Sequence, residues 1–400
     1  MKEEYMMRKK FLAVLMTSVF AVTMLAGCGN SNSGTTTATN SSTNEGQASA
    51  GDTEKNEALN IAIVSSPNGV DDGSFNEDNY NGILSFIEKF PDSKVTPIRE
   101  ETGVPANVAE KISTEAANYD VMVCLGFQAA GIGTVAQDNP DVDFILVDSY
   151  PTDADGNTVE LDNVYAMLFA EQESGFFAGM AAALETTSNK VAVVTAQTFP
   201  SNINYQYGFE AGVNYVNKKY NKSVECVEIK SYAGSVSGED IGGNYTGNFN
   251  DEATGKVLGE ALIKEGCDII FVAAGASGNG VFTAAKEAGN VKVIGCDVDQ
   301  YDDGVNGTKD NIILTSVLKV MSLNVDKQLT AIAGGTFKGG NVLLQADTDS
   351  TGYVKTEGRN QLSEDTISKL DEAYALVKDG TIVPPSSTSD TTPEDFPGLN

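Results

Sequence analysis

Seven short apolar runs, separated by stretches with helical spacing, constrain this 400-residue chain more than any other feature. They are LNIAIVSS (59–66), YDVMVCLG (119–126), VDFILVDS (142–149), KVAVVTA (190–196), CDIIFVAAG (267–275), VKVIGCD (291–297) and NIILTSVL (311–318). Each is rich in β-branched residues and apolar at odd and even positions alike, the pattern of a strand covered on both faces of a parallel sheet. Between the runs, Tyr80, Ile83, Leu84, Ile87 and Phe90 recur at helical spacing, as do Val257, Leu258, Ala261 and Leu262. Strand alternating with helix predicts an α/β fold with right-handed crossovers. The length allows two domains, and 41% hydrophobic residues can fill their cores.

Polar residues cluster where these strands end. Asp148 follows FILV, Gly275 follows IIFVAA, Asp297 follows VKVIGC and Lys319 follows IILTSVL. Ligands of open α/β sheets bind outside the carboxyl ends of strands, so these groups point to one polar site between two sheets. A single Asp after a strand is commonly a turn or helix cap; four such positions together are harder to dismiss.

The chemistry open to such a site is narrowed by composition. The chain has no histidine, which removes Ser-His-Asp, Cys-His and HExxH arrangements and histidine proton shuttles. A formal net charge of −30 disfavours nucleic acid as a partner. DVDQYDDG (297–304) resembles a calcium loop, but Asp302 stands where the EF-hand needs Gly and Thr308 where it needs Glu. GASGNG (275–280) lacks GK[ST] and GxGxxG spacing, so a turn whose amides approach a neutral ligand fits better than a phosphate loop. Asp297 and Asp299, two apart on an extended segment, point to opposite sides and do not suit an acid/base dyad. No metal or cofactor is expected. Asp299 and Gln300 are read as shaping their loop.

The N-terminus reads as an export signal. Lys2, Arg8, Lys9 and Lys10 precede an apolar run from Phe11 to Gly27, short for a membrane span. The run closes on Leu25-Ala26-Gly27-Cys28, which resembles a bacterial lipobox and implies lipidation at Cys28. Residues 28–57 are rich in Ser, Thr, Asn and Gly, the composition of a flexible tether. Cys124, Cys226, Cys267 and Cys296 show no CxxC spacing and read as free thiols. The acidic, Pro-rich segment 386–400 reads as a disordered tail.

A further set of motifs occurs in order: DDGSFNEDNYNG (71–82), DVDFILVDS (141–149), EQESGFFAGMAA (171–182), INYQYGFEAGV (203–213), DIIFVAAGASGNGV (268–281), VIGCDVDQ (293–300) and ILTSVLK (313–319). Together they resemble the basic membrane protein family of bacterial lipoproteins, which bind purine nucleosides for ABC transporters, over about residues 58–385. The resemblance implies a type I periplasmic-binding-protein fold, with two lobes, each a mainly parallel sheet flanked by helices, and three hinge crossovers. The expected lobes are 58–168 with 316–338, and 169–315 with 339–385, crossing near 165–170, Ser316 and 336–342.

By the same resemblance Phe75 stacks on a purine, with Asp72 or Asn76 on the base edge. Tyr205 stands where the family has Phe and is expected to stack on the opposite face. Asp297 takes ribose hydroxyls, assisted by Asp148, Lys319 and the backbone at Gly275. Implied partners are a purine nucleoside, an ABC permease and the membrane, through the lipid. The segment 235–252 is longer than expected and is assigned no site residue. Rival readings are a sugar or autoinducer receptor of the same fold and a carboxylate-dependent nucleoside hydrolase.

Overall fold

The structure, a computed structural model, describes residues 57–307 and 310–396. The expected signal peptide, Cys28 and all of the tether before Glu57 lie outside the described residues.

The chain begins with β1 (Asn60–Ser65), α1 (Phe75–Lys89), β2 (Lys94–Arg99), α2 (Pro105–Glu115), β3 (Val121–Leu125), α3 (Ile132–Asp138), β4 (Asp143–Val147) and β5 (Val164–Phe169). It then crosses to a second sheet through α4 (Glu171–Glu185), β6 (Lys190–Thr195), α5 (Pro200–Tyr220) and β7 (Glu225–Cys226). A hairpin of β8 (Gly234–Val236) and β9 (Glu239–Gly242) precedes α6 (Glu252–Lys264), β10 (Ile269–Ala273), α7 (Ala276–Ala288) and β11 (Lys292–Gly295). After a small hairpin, β12 (Val305–Asn306) and β13 (Asp310–Asn311), come β14 (Ile313–Lys319), α8 (Met321–Ala333), β15 (Gly340–Leu344), β16 (Thr351–Tyr353) and α9 (Glu364–Lys378).

The first sheet runs β15-β5-β4-β3-β1-β2, all parallel. The second runs β16-β14-β11-β10-β6-β7, parallel except where β16 pairs with β14. The α/β class with parallel sheets flanked by helices is thus observed. β2, absent from the expected strands, is an edge strand; Pro97, lacking an N–H, is tolerated there.

Two of the three crossings fall later than expected. All of β14 lies in the second sheet, so the second crossing is at Val320 and not Ser316. β15 pairs in parallel with β5, which moves the third crossing to residues 345–350 from the expected 336–342. α8 accordingly packs on α1 of the first lobe. Gly82 lets the Ser322 backbone approach, and Ser322 N donates to Asp78 Oδ2 at 2.9 Å. This close approach centres the buried face of α1 on Ile83 and Phe86, leaving Leu84 exposed. Val257 of the second expected stripe is exposed too.

α4 is apolar nearly all round and correspondingly buried. Its few polar side chains secure the crossings. Glu173 accepts from Ala346 N at 2.8 Å and from Thr351 Oγ1 at 2.5 Å, while Ser174 Oγ donates to Leu318 O at 2.7 Å. Against α4 lies α5, with Gly175, Gly179, Gly208 and Gly212 at the contact, where any Cβ would overlap a backbone atom of the partner helix.

Residues 386–396 correct the expectation of a disordered tail. Asn214 Nδ2 donates to Pro393 O at 2.6 Å, and Asn204 Oδ1 accepts from Ser387 N at 2.8 Å. Phe396 is buried in the core of the second lobe, edge-on to Phe176 at 5.8 Å. Charge and proline content hid one large aromatic with a pocket to fill. Phe396→Ala should lower stability by about 2–3 kcal/mol, the transfer free energy of a buried aromatic; urea unfolding of both proteins checks this.

Candidate functional site

Parallel strands deliver their carboxyl ends to one edge of each sheet. The loops leaving β1, β3 and β4 in the first lobe and β6, β10, β11 and β14 in the second line a single cleft. Its non-atom space amounts to about 730 Å3, the opening to solvent included. Asp72, Phe75, Asn76, Asp148, Tyr205, Gly275, Asp297 and Lys319 all line it.

Asp148 and Asp297 occupy related places, each just beyond a strand and each left-handed, with φ of 65° and 68°. Asp tolerates that conformation better than bulkier residues, and such strain concentrates at functional sites. Lys319, at the end of β14, lies between them. Its Nζ is 2.5 Å from Asp148 Oδ2 and 3.3 Å from Glu171 Oε1, and its backbone N donates to Asp297 O at 2.9 Å. Burial raises the Asp148 carboxyl to about 7 against the pull of Lys319, with Glu171 and Asp297 adding to the rise. Burial opposes the charge on Lys319, but Asp148, Glu171 and Asp297 outweigh it and hold the ammonium above the ordinary lysine range. The ammonium also lies 5.2 Å from the ring centre of Phe75 and 5.9 Å from that of Tyr205.

Tyr205 differs from a simple stacking face. Its hydroxyl donates to Asp297 Oδ1 at 2.7 Å, and its ring meets Phe271 edge-on at 5.7 Å. Burial and the Asp297 charge push its phenol well up, so it stays a donor. Ser74 Oγ reaches Asp297 Oδ2 from the other lobe at 3.4 Å. Cys296 lines the same wall as a buried thiol, raised well above the usual range by burial and Asp297, hence un-ionised.

Asp72 and Asn76 are engaged within the chain. Asp72 accepts from the backbone N–H groups of Ser74, Asn76 and Glu77 and from Asn76 Nδ2, at 2.6–3.2 Å. Asn76 Oδ1 accepts from Ser66 N, and its Nδ2 also donates to Ser66 Oγ. The pair braces the turn that presents Phe75. Burial raises the Asp72 carboxyl against these donors.

Gly275 has φ of 54° and opens α7; a Cβ there would press on the Phe249 carbonyl oxygen at 3.3 Å. Phe249 comes from the segment to which the sequence assigned no site residue. Its ring lies 5.9 Å from Phe199, which lies 5.4 Å from Phe127 of the first lobe. Asn68 Nδ2 donates to Phe249 O at 3.3 Å, a further tie across the cleft. These aromatic residues, with Asn68, Gln128 and Asn202, also line the cleft and were not singled out from the sequence. Asp148 directly follows β4, whereas Phe199 and Asn202 lie four and seven residues beyond the end of β6, out of reach of the strand-end rule. Phe249 carries no such signal either. Among the described residues, no grouping of three or more Cys, Asp or Glu side chains could hold a metal ion.

Comparison with known proteins agrees with this fold. The family model described as "ABC transporter substrate-binding protein PnrA-like" (Bmp) matches residues 59–234 and 239–386. The ABC transporter nucleoside-binding protein BmpA of Lactococcus lactis is 28% identical over 95% of this chain and 100% of its own. A CD4+ T-cell-stimulating antigen of Listeria monocytogenes is 29% identical over 81% of this chain and 87% of its own. A solved ABC transporter solute-binding protein from Aeropyrum pernix superposes with a TM-score of 0.69 at 22% identity, over 83% of this chain and 94% of that one. One from Conexibacter woesei gives 0.59 at 20% identity, over 82% and 99%. These two structures support the periplasmic-binding-protein fold.

Proposed function

We propose, from the premise that this chain belongs to the Bmp family of PnrA-like ABC transporter substrate-binding proteins, that it is an extracytoplasmic lipoprotein capturing purine nucleosides. It would hand them to an ABC permease for uptake, held to the membrane through Cys28. Among the described residues no helix is long and apolar enough to cross a membrane.

The observation that carries this reading is one ammonium, Lys319, set among Asp148 and Asp297 and beside the Phe75 ring in a cleft shared by both lobes. Carboxylate and ammonium together meet the donors and acceptors of a vicinal diol through charge-assisted bonds. Phe75 offers a flat base an apolar face. Among the described residues Lys319 is the one cation lining the cleft, beside Asp72, Asp148 and Asp297. That balance repels a phosphate and favours an uncharged nucleoside. The same polar centre would also serve a sugar, which is the second reading.

Calorimetric titration of unfolded and refolded protein with guanosine, adenosine, inosine, cytidine, ribose and guanosine monophosphate decides between them. Micromolar or tighter binding of purine nucleosides, with ribose and the monophosphate much weaker, is expected. Binding of ribose or another sugar with no heat from any nucleoside overturns it. Phe75→Ala should weaken nucleosides roughly 10- to 100-fold, from about 1–3 kcal/mol of lost base stacking, with a smaller loss of stability because the ring is only partly buried against the first lobe's core.

A further inference from the structure

Among the described residues, two cleft-lining side chains carry a buried polar atom without a hydrogen-bond partner: Asp148 through Oδ1 and Asn202 through Oδ1. Asp148 belongs to the polar centre already described. Asn202 does not. It sits in the first turn of α5, on the opposite lobe from Asp148, and is 5% exposed.

We propose that Asn202 is a specificity-determining residue whose Oδ1 accepts a hydrogen bond from an N–H group on the base of the bound nucleoside. This rests on the nucleoside reading above.

The orientation of the amide follows from its neighbour. Asn202 Nδ2 lies 2.9 Å from the carbonyl oxygen of Ala273, at the end of β10. A carbonyl accepts only from the amide nitrogen, so the oxygen is the atom left over. A ligand meeting it must therefore present a donor.

Which donor follows from how the other cleft groups are used. Asp72 and Asn76 are committed to their own turn, so the side-chain amide oxygens that the first lobe keeps for a base edge are those of Asn68 and Gln128. Asp148, Asp297 and Lys319 form a separate centre whose chemistry suits sugar hydroxyls. Asn202 is then the second lobe's acceptor for an imino or amino group of the base. A base with only acceptors would leave the amide oxygen buried and unmet, and sites of this kind discriminate strongly against such analogues.

The test is a ligand-by-variant cycle in the wild-type protein and Asn202→Ala. Calorimetry would use guanosine, adenosine, inosine, purine riboside, which has no donor on its base, and the 5′-deoxy analogue of whichever nucleoside binds best. Asn202→Ala is expected to weaken the donor-bearing bases 10- to 100-fold and purine riboside by less than about twofold. Equal weakening of every ligand would reveal a structural role through Ala273 and overturn the proposal, as would no weakening at all. Insensitivity confined to the 5′-deoxy analogue would move the contact to the ribose and also overturn it. Wild-type protein silent toward the whole panel would overturn the nucleoside reading itself, and this inference with it.

Discussion

Lys319→Met is expected to cost about 3–5 kcal/mol of stability at pH 8, the range for removing one partner of a buried ion pair. The side chains of Lys319, Asp148 and Glu171 are 3%, 8% and 2% exposed, so water screens none of them well. Without the ammonium, two buried carboxylates face each other with Asp297 nearby. They can escape only by taking up protons, which lifts the Asp148 carboxyl further above its unfolded value. A carboxyl raised in this way stabilises the fold below its unfolded pKa, and that stability is lost as pH rises through the folded value. With Asp148 already at about 7, the deficit of the variant should be largest above pH 7 and shrink toward pH 5. Asp148→Asn in the Lys319→Met background should recover part of the loss, by about 1–3 kcal/mol of coupling. Urea unfolding of the four proteins at pH 5 and pH 8 measures both effects. A deficit below about 1 kcal/mol at pH 8 would mean the site tolerates bare carboxylates.

The second large effect arises far from the cleft mouth. Gly179→Ala would drive a methyl group into the Phe209 carbonyl oxygen, and the other three glycines of the α4–α5 contact leave no slack to absorb it. The helices must separate or tilt. Overpacking a tight core commonly costs 1–3 kcal/mol, and an overlap with backbone, which cannot swing aside as a side chain does, should cost roughly 3 kcal/mol or more. The displacement also reaches function, because α5 carries Tyr205 and Asn202 while α4 begins at Glu171. Ligand affinity should therefore fall along with the urea midpoint, although no cleft residue is altered. A variant within about 0.5 kcal/mol of wild type would show that the helices have room to move apart.

The strand ends were the legible part of this protein. A buried parallel strand leaves a strong mark, an apolar run on both parities, and the residue just beyond it is placed by geometry alone; Asp148, Asp297 and Lys319 were singled out in that way, and they line the cleft. The resemblance supplied Asp72, Phe75, Asn76 and Tyr205, and the structure brings them to the same cleft. It also shows Asp72 and Asn76 turned toward their own backbone, a commitment visible only once the turn is folded. The crossings were misplaced because a helical stripe records that a face is buried, not which sheet buries it; α8 could have covered either. Phe249 was invisible for a related reason, since a loop residue reaches a site through tertiary path rather than local pattern. The tail misled because composition weighs all residues equally, whereas among its described residues Phe396 holds a core position.

The three passages of the chain between lobes bear on how it is made. A chain growing from its N-terminus has delivered β1 to β5 early, yet α8, which adds Met321, Val325 and Leu329 to that lobe's core, and the edge strand β15 come more than a hundred residues later. The second sheet likewise waits for β14, an interior strand, and for β16. Neither half can finish until almost the whole polypeptide has emerged, so the two halves mature together and late. Such long-range pairing makes folding slow. A nascent chain of this design stays open through most of its synthesis, a condition that suits passage through a narrow translocation channel and exposes unfinished sheet edges to aggregation if passage is delayed.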